Sequence, residues 1–206
     1  MPTTIPLKPN SKRQFVVIDS DTLAFKDWKV RLDDVTGLSF GLHSREGYLS
    51  SSGAHVLVHT ASSQYKIRTN NIGVLGYLES KDNMQQVMDA VREAITPRLL
   101  WKQLSYIFEQ RIPVRIARFT LAPMGLSYRG LTGTTQVPWS YKASCRTVSK
   151  IRWLTGGTLY GVQEVFYFDP RTGKNAVLGT VSSADMNGFL LPIMLEIIAS
   201  RLPTRG

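Results

Sequence analysis

The stretch Phe119-Thr120-Leu121-Ala122-Pro123-Met124-Gly125-Leu126-Ser127-Tyr128-Arg129 holds two short extended segments separated by a Pro-Met-Gly turn. Val114, Ile116 and Phe119 begin one strand, the turn breaks it, and Leu126 to Arg129 forms the next. The pattern has an echo a hundred residues earlier. Leu23-Ala24-Phe25-Lys26 repeats the apolar-x-aromatic-basic order of Leu126-Ser127-Tyr128-Arg129. Arg31-Leu32-Asp33-Asp34-Val35 then corresponds to Val137-Pro138-Trp139-Ser140-Tyr141, each preceding a longer strand. We read the chain as a structural duplication.

Working outward, Gln14 to Tyr77 reads as strand after strand. Phe15–Ile18, Thr22–Phe25 and Trp28–Leu32 are separated by Asp-rich turns, and Gly37–His43 alternates Leu38, Phe40 and Leu42. A Ser/Gly loop over 47–53 leads to Ala54–His59 and Gln64–Arg68. The period then changes. With Ser80 as N-cap, Met84, Val87, Met88, Val91 and Ile95 recur at helical spacing, and Pro97 interrupts the helix. Leu99 to Phe108 forms a second helical stretch, running on to Glu109. After the strands around residues 119–129 come Val137–Trp139, Cys145–Leu154, Thr158–Phe168 and Asn175–Val181. Asp169-Pro170-Arg171-Thr172-Gly173 has the chemistry of a hairpin turn. Phe189 to Ile198 supplies a final amphipathic helix with Pro192 in or near its first turn.

The 206 residues carry a net charge of +10, unevenly spread. Residues 1–110 have 13 Lys/Arg against 11 Asp/Glu, and residues 111–206 have 12 against 4. No acid lies between Glu109 and Glu164, while Arg111, Arg115, Arg118, Arg129, Lys142, Arg146, Lys150 and Arg152 all do. Such a stretch speaks of anionic partners rather than of fold. No apolar run approaches the roughly 20 residues needed to span a bilayer. The lone Cys145 and the absence of a secretory signal point to a cytoplasmic protein, with a peripheral place at the inner face of the membrane as the alternative expectation.

The string FTLAPMGLSYRG…VPWSYKAS…LGTVSSADMNGFLLPIML resembles bacterial members of the pleckstrin-homology-like (PH-like) superfamily. The shared features are a Gly-led strand, a Pro-Trp opening the next strand, and an Asn followed by an apolar helix. FVVIDSDTLAFKDWKVRLDDVTGL resembles the opening of a preceding copy, so the resemblance covers residues 13–202. It implies an α+β protein of two PH-like lobes. Each would be an antiparallel meander or bent barrel of about seven strands capped by a C-terminal helix. The expected division is a flexible lead-in over 1–12, lobe 1 over 13–96, a helical connector over 97–110, and lobe 2 over 111–206. The resemblance further implies a ligand- or protein-binding scaffold, since relatives bind inositol phospholipids or peptides. Their lipid-binding strand motif has no clear counterpart in this chain.

Catalytic chemistry finds little to stand on. Ser50-Ser51-Ser52 is a loop tract rather than a nucleophile elbow, and neither a P-loop nor a dinucleotide fingerprint is present. Asp33-Asp34 suggests a turn or strand end. His55 and His59 face the same side of a strand about 13 Å apart, too far to share a metal unless His43 or an acid joins them. No enzyme activity, metal or cofactor is expected. Trp28, Trp101 and Trp139 read as core or rim residues, and Trp153 as the tryptophan best placed for a ligand. On a strand Arg146, Lys150 and Arg152 share parity and project from one face, whereas Arg115 and Arg118 do not. The expected anion-binding set is Arg129, Lys142, Arg146, Lys150, Arg152 and Trp153. Its partner would be an acidic protein or other anionic ligand, alternatively an anionic phospholipid surface. Nucleic acid ranks last, for want of a recognition helix or of interleaved aromatic and basic residues.

Overall fold

The computed structural model describes residues 2–7, 14–45, 51–72, 74–152 and 157–201. The chain is α+β, with strands in four separate antiparallel sheets and two α-helices; among the described residues no sheet closes into a barrel. Strands β1 (Thr3–Pro6), β2 (Phe15–Ile18), β3 (Thr22–Phe25) and β4 (Trp28–Arg31) form the first sheet in that order. A 3₁₀ turn over Leu32–Asp34 leads to β5 (Val35–Arg45), β6 (Ser51–Thr60) and β7 (Gln64–Ile72), the second sheet. Helix α1 (Val74–Phe108) follows. The order then recurs. Strands β8 (Val114–Ile116), β9 (Phe119–Ala122), β10 (Gly125–Arg129) and β11 (Thr134–Pro138) make a four-stranded sheet, and a 3₁₀ turn spans Trp139–Tyr141. Strands β12 (Ser144–Arg152), β13 (Gly157–Asp169) and β14 (Lys174–Ser182) make a three-stranded one before α2 (Leu190–Arg201).

The chain forms two compact units, Met1–Leu99 with Lys150–Tyr160, and Leu100–Ser149 with Gly161–Gly206. In the first, alternation buries Val16, Ile18, Leu23, Phe25 and Val30 on one face of the first sheet. Met84, Val87, Met88, Val91 and Ile95 are all buried along α1, as their spacing requires. In the second, Val114, Leu121, Leu126 and Val137 form one buried cross-strand row and Ile116 and Phe119 begin the next. Leu190, Leu191, Met194, Leu195 and Ile198 bury the inner face of α2.

Several local expectations change. The lead-in over 1–12 contains β1, because Ile5 and Leu7 find burial and Pro6 is tolerated on an edge strand. Helix α1 begins at Val74 rather than after an N-cap at Ser80, and so takes in Gly76, whose cost of about 1 kcal/mol in a helix interior does not stop it. It also runs through Pro97. A proline inside a helix forfeits one hydrogen bond and costs about 3 kcal/mol. Arg98 offsets part of that. Its guanidinium donates back to the Ala94 carbonyl at 2.9 Å, to the Ser20 carbonyl at 2.7 Å and to Asp33 at 3.3 Å. Buried Ile95 and Leu99 hold the helix on either side of the proline. Ser51 and Ser52 belong to β6 rather than to a loop. The two 3₁₀ turns pair Leu32 with Trp139, both buried, so the repeat matches one residue away from the alignment read in the sequence. Trp101, expected to pack, is 68% exposed.

Candidate binding surface of the second unit

The residues expected to bind anions are not equivalent. Arg146 lies on β12, where its guanidinium takes Glu164 of β13 at 2.5 and 2.7 Å and sits 5.7 Å from the Phe166 ring. Glu164 ends the acid-free stretch in sequence, but the hairpin brings it straight back to Arg146. A guanidinium held by two nitrogens on one carboxylate is largely spent as an anion receptor. Arg146, expected in the anion-binding set, is thus found in an ion pair. Lys150 and Arg152 share its strand, but their side chains lie outside the described residues, as does the whole of Trp153. Lys150 and Arg152 also fall in the other compact unit from Arg146. Lys142 is exposed at the end of the second 3₁₀ turn, in the left-handed conformation with φ 49°.

Arg129 keeps its place and gains different neighbours. It ends β10, exposed, with its amide donating to the Arg118 carbonyl at 2.9 Å. Arg115, on β8, donates through Nε to the Ala117 carbonyl at 3.0 Å. Register puts Arg115, Thr120, Ser127 and Gln136 in one cross-strand row, with the Val114 row facing the core on the other side. Arg129 is two residues beyond Ser127 and so shares that outer face. Arg118 sits in the tight turn after Ala117, whose φ is 53°. Parity between Arg115 and Arg118 therefore does not decide their relation, because a turn intervenes rather than a strand. All three arginines are exposed, and among the described residues none has a carboxylate within ion-pair distance. The sequence signal that could have found the group is the short spacing of Arg115 and Arg118 opposite the hairpin ending at Arg129.

A groove of about 700 Å³ runs beside the same sheet. Its walls include Met124, Thr135, Gln136, Tyr141, Tyr167 and Arg171. Tyr141 and Tyr167 stack with ring centres 6.2 Å apart, and Met124 is 84% exposed. Asp169 also borders the groove, but its carboxylate accepts the Arg171 amide at 2.9 Å and shapes the hairpin turn. Sequence reading placed none of these residues in a site.

Trp139, buried, donates from its indole nitrogen to the Ala122 carbonyl at 3.0 Å and ties the 3₁₀ turn to β9. The Tyr128 ring lies 4.9 Å from Phe119 and covers Gly179, where a Cβ would collide with it. Burial pushes the Cys145 thiol up to about 12, so at neutral pH it is a protonated thiol and a poor nucleophile. In the first unit burial lowers the His59 pKa, and Gln64 and Ser39 occupy its two ring nitrogens at 3.3 and 3.2 Å. The His43 side chain lies outside those described. Among the described residues no three His, Cys, Asp or Glu side chains gather as a metal site would need, and no helix is long and apolar enough to cross a membrane.

Comparison with protein-family models, with curated proteins and with solved structures returned no match.

Proposed function

We propose that this protein is a non-enzymatic binding module built from two PH-like lobes, whose basic second lobe engages an acidic protein. The twofold recurrence of a four-stranded sheet, a 3₁₀ turn, a three-stranded sheet and a helix supports the tandem reading. One observation carries the functional part. Arg115, Arg118 and Arg129 are exposed on or beside one outer sheet face, and among the described residues no carboxylate lies within ion-pair distance of them. A cluster of exposed guanidinium groups raises the local concentration of anions, speeds encounter, and offers forked donors to carboxylates. Arg129 is common to this group and to the set drawn from sequence; Lys142 is an exposed outlier to it.

Binding of fluorescein-labelled polyglutamate, followed by anisotropy at low and high salt, tests this. Salt-weakened binding is expected, with loss of at least tenfold in affinity when Arg115, Arg118 and Arg129 are all changed to Glu. Co-sedimentation with phosphatidylglycerol vesicles but no affinity for polyglutamate would transfer the cluster to a membrane surface, where each arginine contributes roughly 1 kcal/mol. Undiminished binding by the triple variant would remove the cluster from the site.

A further inference from the structure

One member of the arginine cluster, Arg129 on β10, adjoins a second feature, the outer edge of β11, whereas Arg115 lies on β8 at the opposite edge of the sheet. Strand β11 ends the four-stranded sheet, and among the described residues no other strand pairs with its far side. The direction of its backbone groups follows from register. The Gly130 amide donates to the Gly133 carbonyl at 2.8 Å, which makes that pair a hydrogen-bonded one. Pairs alternate along an antiparallel ladder, so Tyr128–Thr135 and Leu126–Val137 are bonded next. Consistently, the Arg129 amide turns the other way, towards Arg118 on the β9 side. The amides and carbonyls of Thr134 and Gln136, and the carbonyl of Pro138, therefore point outward. Thr134, Thr135 and Gln136 are all exposed.

Proteins usually blunt such an edge with charge, proline or a bulge. Strand β4, the corresponding edge of the first copy, carries exposed Lys29 and Arg31. Strand β11 carries no charged side chain at all, and its only protection is Pro138 at the end. Beside it the groove supplies the stacked Tyr141 and Tyr167 and the exposed Met124, an apolar wall for alternate side chains of an added strand. Charge surrounds the edge instead. Arg129 is the cross-strand partner of Thr134 at one end, and Arg171 lines the groove. Asp169 also lines the groove, with one carboxylate oxygen accepting the Arg171 amide in its own turn.

We infer that β11 is a docking edge that takes an extended, acidic segment of a partner protein as a fifth antiparallel or parallel strand. The inference rests on the reading of the second unit as a module for an acidic protein, and it names the form that partner takes. Main-chain hydrogen bonds to Thr134 and Gln136, spaced about 6.8 Å apart, give the affinity. The tyrosine-lined groove selects apolar residues at alternate positions, and Arg129 and Arg171 select acids beside them.

A six-residue peptide of alternating Glu and Val is the probe, with a fully N-methylated form of the same sequence as its control. The first should bind and slow amide exchange at Thr134 and Gln136 by tenfold or more. The N-methylated peptide has the same charge but no strand donors, and should bind at least tenfold more weakly. Gln136→Pro deletes one outward amide without touching the bonds to β10, and should cost a similar factor. Thr134→Pro provides a second such variant, with circular dichroism reporting the fold of both. Equal binding of the N-methylated peptide, unchanged exchange at both amides, or no binding at 1 mM overturns the inference. Binding lost in Gln136→Pro but kept in the triple Glu variant supports the edge and discards the arginine cluster. Binding lost in the triple variant but kept in Gln136→Pro discards the edge and leaves the cluster. Attachment to phosphatidylglycerol vesicles alone, indifferent to Gln136→Pro, also overturns it.

Discussion

At the scale of single residues, two half-buried titratable groups give stability a defined pH dependence. An unfolded Cys145 thiol ionises near its ordinary value of 9.0, whereas the folded one holds its proton to about 12. Between those values the unfolded chain binds fewer protons than the native one, so native stability falls as pH rises through that window and is unaffected below it. Cys145→Ala should remove that part of the decline. Guanidinium unfolding curves at pH 8 to 11 check this, and parallel falls in both proteins would refute it. His59 behaves with the opposite sense. Its folded pKa is lowered by burial, and protonation would set a proton on Nδ1 against the Gln64 amide donor. Stability is full above 6.5 and is lost as pH falls below it, because the unfolded state then binds the extra proton. His59→Gln should unfold less readily in acid than the parent, relative to their stabilities at pH 7.5. Neither effect was legible in the sequence, which shows a lone cysteine and a histidine but not what surrounds them. Cys145 could be placed on a strand; its partial burial is not local information, because the strands β13 and β14 that complete its sheet come later in the chain.

At the scale of elements, periodicity found what burial enforces and missed what a single side chain can rescue. The buried stripe of α1 from Met84 to Ile95 follows directly from spacing. Its continuity through Pro97 does not, because local rules count the lost hydrogen bond and cannot see Arg98 reaching Ser20 and Asp33 from outside the helix. Asp33 thereby acquires a structural role. Arg98→Met keeps the stem and removes the donors, and should destabilise the protein by about 1–2 kcal/mol in urea unfolding. A loss below 0.3 kcal/mol would mean that packing alone carries the helix past the proline. The start of α2 is held just as tightly. Asn187 adopts a φ of 61°, buried, and the Leu190 amide donates to its carbonyl at 2.9 Å. At Gly188 a Cβ would meet the Ser182 carbonyl oxygen, and the Asp185 carbonyl oxygen at 3.2 Å. These are backbone atoms that cannot swing aside, so Gly188→Ala should cost on the order of 3 kcal/mol. Ser183 to Asn187 offers helix-cap chemistry as a sequence, but nothing in that run reveals that the residue after it tolerates no side chain.

At the scale of the whole molecule, the duplication was readable because each copy repeats the same order of sheets, turn and helix, and turns and alternation are local. The proposed binding surface was only half readable, because like charges in sequence need not be neighbours in space and unlike charges can meet across a hairpin. Arg129 belongs both to the set expected from sequence and to the unpaired group, Arg115 and Arg118 were set aside on parity, and Arg146 was included in the set although Glu164 returns to it through β13. That difference separates two accounts of the +10 charge. If the whole basic stretch acts as a diffuse field, any cation removed from it weakens anion binding by a similar amount. If the unpaired arginines form the site, position matters. Arg146→Gln should then change polyglutamate affinity less than twofold, its exposed ion pair being worth at most about 1 kcal/mol to the fold. Arg129→Gln should weaken binding several-fold and reduce its salt dependence. Glu164→Gln releases the Arg146 guanidinium and should strengthen binding, a gain that the diffuse account also allows. The decisive comparison is therefore Arg129→Gln against Arg146→Gln, two substitutions of equal charge. Equal losses would favour the diffuse field, and a several-fold gap would favour a local site at the end of the β8–β10 face.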